Sequence, residues 1–134
     1  MNEIVLIAEA DLMLVEDLGN FLALEGYEVW SANNGVQALT VLEERYATVD
    51  LLPDCIVSAV RMPIMQGLDF LEATRNHPCW QNIPFVLLTN PGETTHNWLH
   101  RRKYDAQLTK PFAMHDFAQI IWDQISKFQR LKAQ

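Results

Sequence analysis

Five short stretches of the chain are apolar almost without interruption, and after each the apolar residues return at helical spacing. Ile4 to Ala8 is the first such stretch, the pattern of a strand covered on both faces of a sheet. Behind it Leu14, Leu18, Phe21, Leu22 and Glu25 fall at helical spacing, and Gly26 supplies a stop. Tyr27 to Ala32 is rich in strand formers, Asn33-Asn34-Gly35 is a turn able to cap, and Val36, Leu39, Val41 and Leu42 stripe a second helix. Pro53 to Ala59 predicts a third strand, broken by Met62-Pro63 and Gly67 before a helix carrying Leu68, Phe70 and Leu71. Pro84 to Thr89 is the fourth strand, ending at Asn90-Pro91-Gly92, and Glu93 to His100 predicts a short helix. Ala106-Gln107-Leu108 is a minimal fifth strand. Phe117, Ile120, Ile121, Ile125 and Phe128 lay out a last amphipathic helix, with Gln129 to Gln134 expected to fray.

Strict alternation of strand and helix argues for an open parallel sheet with helices on both faces and right-handed crossovers. Function in such sheets sits at the carboxyl ends of the strands. The informative residues are therefore Glu9-Ala10-Asp11, Ala59-Val60-Arg61, Thr89-Asn90 and Lys110-Pro111. A length of 134 residues predicts one domain over 1–134 with no output domain.

Ten basic against 17 acidic residues give a net charge of −7, which disfavours nucleic acid and anionic membrane as direct partners. No apolar run approaches a membrane span, and the acidic Met1-Asn2-Glu3 is unlike a secretory signal, so a cytoplasmic location is expected. Cys55 and Cys79 have no metal-type spacing and read as free thiols.

The strand ends resemble those of a two-component response regulator receiver domain over about Ile4 to Phe128. The resemblance is carried by Gly26-Tyr27-Glu28-Val29, Asn34-Gly35-Val36-Gln37-Ala38-Leu39, Met62-Pro63-Ile64-Met65-Gln66-Gly67, Ile83-Pro84 with Leu88-Thr89, and Lys110-Pro111-Phe112. It implies a flavodoxin-like, doubly wound, five-stranded parallel sheet of order 2-1-3-4-5 with five helices, similar to a chemotaxis regulator, and no enzyme activity of its own. It also implies a cis Lys110-Pro111 bond. In the family, acids after the first strand bind magnesium and an Asp after the third accepts a phosphoryl group. A Thr or Ser after the fourth and a Lys after the fifth bind its oxygens. A carboxylate can attack a phosphoryl group only where cations offset the gathering negative charge.

By that pattern the acceptor position falls on Ala59 and the acidic pair on Glu9 and Ala10, while Thr89 and Lys110 are kept. Asn90 stands where the family has a small residue, and Gln107 where it has a mobile aromatic. Asp54 does not rescue the acceptor, because five residues of strand put it about 16 Å away. Ser58 alternates to the other face. Glu9 with the Arg61 carbonyl is a weak candidate for magnesium, and no cofactor is expected. Lys110, without its acidic pair, reads as a salt bridge to Glu9 or to Asp11. Arg61 reads as a solvent residue, with entry into the vacated pocket as the alternative. His96 and His100, at i and i+4, lack a third ligand and read as structural or interfacial.

The leading reading is a degenerate receiver, a stand-alone adaptor that works by protein contact without aspartyl phosphate. Its partner is expected to be a histidine kinase or another regulator. Trp98, Arg101, Arg102, Lys103, Gln107 and Phe112 form the candidate interaction face, with a homodimer through the short helix, the fifth strand and the last helix also open. The alternatives are an ordinary phosphoacceptor receiver carrying inactivating substitutions at positions 10 and 59, or a small-ligand or cofactor binder on a flavodoxin-like fold. For a flavin phosphate, Glu9-Ala10-Asp11-Leu12 offers acids where a Gly/Ser/Thr-rich cradle is needed.

Overall fold

In the computed structural model, which describes residues 2–93 and 103–133, five parallel strands form one sheet. They are β1 (Ile4–Ala8), β2 (Glu28–Ala32), β3 (Cys55–Ala59), β4 (Phe85–Thr89) and β5 (Ala106–Thr109), in the order β2-β1-β3-β4-β5. The order reverses direction between β1 and β3, the switch point where such sheets open a crevice. Four helices occur among the described residues: α1 (Leu12–Leu24), α2 (Gly35–Val49), α3 (Gly67–Arg75) and α4 (Met114–Ala133). The expected count of five helices is thus four here, and the short helix over 93–100 lies, apart from Glu93, outside the described residues.

The unbroken apolar runs are explained by two cores, one on each face. Leu6, Ile56 and Phe85 point into one with Leu42 of α2 and Phe70 of α3. Val5, Ile7, Val57 and Val86 point into the other with Leu18 and Leu22 of α1 and Phe117 and Ile121 of α4. A strand covered on both sides needs no polar alternation.

Local signals set the helix ends. Asp11 caps α1 by accepting from the amides of Met13 (3.1 Å) and Leu14 (3.2 Å), and Asn34 caps α2 by accepting from Gln37 (2.9 Å). Gly26 takes φ +96°, the left-handed conformation that ends the α1 turn.

Two expectations are corrected. Val36 is 45% exposed, because α2 faces the sheet with Gly35, Ala38 and Leu42. Residues 129–133 continue α4 instead of fraying, so that helix runs 20 residues.

At the amino ends of β4 and β5, Arg75 stitches the chain together. Its guanidinium donates to the carbonyls of Lys103 (2.6 Å), Gln81 (3.2 Å) and Ile83 (2.8 Å) and to the Asp105 carboxylate (2.9 Å). Asp105 also accepts from the Phe85 amide at 2.8 Å. Burial pushes the Arg75 pKa down, and Asp105 draws it back up. This end of the sheet is pinned, which leaves the opposite, carboxyl end to carry the site.

Candidate functional site

Parallel strands deliver their carboxyl ends to one edge, so Glu9, Ala59, Thr89 and Lys110 arrive together from β1, β3, β4 and β5. Glu9 is buried, 3% exposed, and its amide donates to the Ala32 carbonyl at 3.0 Å. Lys110 Nζ lies 2.6 Å from Glu9 Oε1, while Glu9 Oε2 accepts from the Asp11 amide at 3.0 Å. Of the two partners open to Lys110, it takes Glu9. Asp11 is occupied as the α1 cap, and Ala10 lies exposed.

Ala59 closes β3, buried, and carries only a methyl group toward this edge's polar residues. The hydroxyl of Ser58 is spent on the Ala59 carbonyl at 2.9 Å. Asp54 sits at the far edge, accepting from the Ile4 amide at 2.7 Å. The arrangement therefore holds one carboxylate and one ammonium in direct contact, a pair whose charges cancel.

Thr89, also buried, faces Thr109 in the β4–β5 register, and their Oγ1 atoms are 3.0 Å apart. Gln107, two residues earlier on the same face of β5, reaches Thr89 Oγ1 with Nε2 at 3.4 Å.

Arg61 keeps the solvent-exposed position expected of it and gains a partner there. Its side chain is 77% exposed, yet Nε pairs with Glu93 Oε2 at 3.2 Å, and the Glu93 side chain is only 7% exposed. Glu93 also accepts from the Asn90 amide, so the β3–α3 and β4 loops are tied across the rim of the site. A cleft of about 350 Å³ lies beside this tie, walled by Arg61, Gln66, Asp69 and Glu93 among others. In the β3–α3 loop the Met65 amide donates to the Pro63 carbonyl at 2.7 Å around Ile64, whose φ is +68°. That is a γ-turn of the strained hand, on a β-branched residue. Lys110-Pro111 is cis, as the resemblance implies.

The expected interaction face is only partly visible. Trp98, Arg101 and Arg102, like His96 and His100, lie outside the described residues. Lys103 is committed to Glu72 at 2.5 Å, Gln107 turns toward Thr89, and Phe112 stacks on Phe117 with ring centroids 5.8 Å apart. Three of its six members are therefore engaged within the domain. Among the described residues no three metal-type side chains gather into a site, and no helix is long and apolar enough to cross a membrane.

Glu93 and Thr109 were not singled out from the sequence. Asn90-Pro91-Gly92-Glu93 carries the spacing of a capping box, in which the fourth residue's carboxylate returns to the first residue's amide. Thr109 follows from period-two alternation with Gln107 once the β4–β5 register is known.

Comparison with known proteins agrees with this geometry. The family described as "Response regulator receiver domain" matches residues 5–122. The transcriptional regulatory protein CpxR homolog of Haemophilus influenzae is 38% identical over 88 residues, covering 66% of this chain and 34% of that protein. The transcriptional regulatory protein PdtaR of Mycobacterium tuberculosis is 31% identical over 134 residues, covering 96% of this chain and 60% of that protein. The chain thus spans 34% and 60% of the length of these two curated relatives. A crystal structure of a putative response regulator from Chloroflexus aurantiacus superposes with a TM-score of 0.81 at 25% identity, covering 94% of this chain and 99% of that one. With the sheet order, the strand-end constellation and these matches in agreement, the chain belongs to the response regulator receiver domain family, a family of signalling modules rather than enzymes.

Proposed function

We propose that this receiver signals by protein contact, without an aspartyl phosphate, as an adaptor for a histidine kinase or another regulator. The observation that carries the reading is the 2.6 Å contact of Lys110 with Glu9 beside the methyl group of Ala59. In a phosphorylating site the ammonium is kept for the incoming phosphoryl oxygens. Here it satisfies the buried carboxylate of Glu9 and ties the end of β1 to the end of β5.

The donor set does not suit magnesium. Glu9 has both oxygens engaged, Ala10 and Ala59 offer no side-chain donor, and Asp11 faces its own helix. A hard cation that seeks six oxygens would have to displace Lys110 and would gain one carboxylate. The hydrogen bonds of Thr89 to Thr109 and Gln107 support the same reading. In the family a Thr and an aromatic at these two positions move together on activation, and here both side chains are bonded to each other. One surface conformation then serves at all times.

Acetyl phosphate or beryllofluoride with magnesium should leave the protein unchanged. A mass increase of one base-labile phosphoryl group, mapped to the end of β3, would sink the proposal. Ala59→Asp alone should take up little phosphate, since position 10 still lacks a metal carboxylate and Glu9 still holds the lysine. Rapid labelling of an Ala10→Asp, Ala59→Asp double variant, with recovery of a phosphate-dependent partner affinity, would favour instead an ordinary receiver disabled at two positions.

A further inference from the structure

A second cleft, of about 450 Å³, opens between the end of α1, the entry to β2 and the first half of α4. Glu25, Tyr27, His115, Ala118, Gln119 and Trp122 wall it. His115, Gln119 and Trp122 repeat at i, i+4 and i+7, so they form one stripe of α4, away from the stripe of Phe117, Ile121 and Ile125 that fills the core. Trp122 is 60% exposed. Core packing does not account for an indole in that position. Leu24, next to Glu25 in the sequence, is 87% exposed.

Apart from the imidazole of His115, the charged groups found at the cleft among the described residues are carboxylates. Glu25 is in its wall, and Glu3 and Glu25 both act on the Tyr27 hydroxyl, whose pKa burial pushes up first and these carboxylates push further. Asp123 follows Trp122 and holds Gln119 Nε2 at 2.9 Å. Among the described residues no Lys or Arg lines the space. An open indole face flanked by carboxylates complements a guanidinium, which stacks on aromatics and sheds water more readily than an ammonium. The same negative field disfavours a phosphate backbone or an anionic membrane.

We propose that this cleft is the anchor point for an arginine of a partner protein, stacked on Trp122 and paired with Glu25, with Leu24 meeting apolar residues beside it. It lies apart from the strand-end site and does not depend on how that site is used. A single anchored arginine is a small part of the roughly 800 Å² per side that a stable interface needs, which is the usual place of an interface hot spot.

The test is a nuclear magnetic resonance titration of the whole chain with a blocked alanine-based pentapeptide bearing one central arginine. Companion peptides carry lysine, citrulline or norleucine at that position. The arginine peptide should move the Trp122 indole N–H signal saturably, and less so as salt is raised. The citrulline peptide should bind at least about threefold more weakly, and Glu25→Gln should weaken the arginine peptide by about the same factor. Read instead on the backbone amide signals of Glu25 and Gln119, the response should be abolished by Trp122→Ala with the thermal midpoint unchanged, and retained in part by Trp122→Phe. Equal binding of the norleucine or citrulline peptide would overturn the proposal. So would arginine-peptide shifts that map elsewhere while Trp122 stays still. A Trp122 signal that moves with protein concentration alone would assign the cleft to a second copy of this chain and overturn it equally.

Discussion

Gly67→Ala is expected to cost more than about 3 kcal/mol and to dislodge α3, the largest effect of any single methyl group in this domain. A Cβ at Gly67 would stand 1.9 Å from the Ala59 carbonyl oxygen and 2.9 Å from its carbon. Both are backbone atoms of the central strand and cannot swing aside. The Gly67 amide meanwhile donates to the Val60 carbonyl at 2.8 Å, so the first turn of α3 is drawn onto the end of β3 by the same contact that excludes a side chain. Gly19→Ala is the control. Its Cβ meets only Val29 Cγ1, at 3.7 Å, and in the middle of α1 it should stabilise by about 0.5 to 1 kcal/mol. Urea denaturation of both variants checks the pair, and a Gly67→Ala protein of ordinary stability would show that α3 can ride away from β3.

Lys110→Met should destabilise by about 3 to 5 kcal/mol, because it leaves the Glu9 carboxylate buried with only the Asp11 amide as partner. Replacing both members, as in Glu9→Leu with Lys110→Met, should restore most of that loss, since the desolvation penalty of the pair disappears along with its attraction. The same urea experiment decides it. A cost below about 1 kcal/mol for the single variant would mean that the ammonium is not what holds the carboxylate.

The sheet was legible in the sequence because each central strand is an apolar run with no polar alternation, and only a strand covered on both faces has that composition. Strand order and the strand-end location of the site followed from the resemblance and from the parallel topology. What the sequence concealed were contacts between elements far apart in the chain. Arg75 reads as an ordinary helix-end base, yet its guanidinium makes four hydrogen bonds, to Lys103, Gln81, Ile83 and Asp105, a set visible only once α3 lies against the loops before β4 and β5. Lys103 read as part of a free basic strip and is instead held by Glu72, 31 residues earlier. Val36 looked like core because apolar spacing fixes a stripe but not its angle, and small Gly35 and Ala38 let α2 settle closer on that side. Trp122 had the reverse problem, an apolar residue in an amphipathic helix that falls one step off the buried stripe.

The tie between Glu9 and Lys110 spans 101 positions of chain, and this separation has a kinetic meaning. During synthesis the Glu9 carboxylate exists for most of the time that the domain is being made before its counter-ion has left the ribosome. β1, β2 and β3 can pair in that interval with the carboxylate still hydrated at an open edge, and burial of Glu9 waits for β5. A contact completed only when the last strand docks changes the unfolding rate more than the folding rate. Loss of the tie should therefore appear as faster unfolding, with the folding limb of the chevron little changed. The ion pair acts as a latch on the finished domain, setting how long the native state persists more than how quickly it is reached.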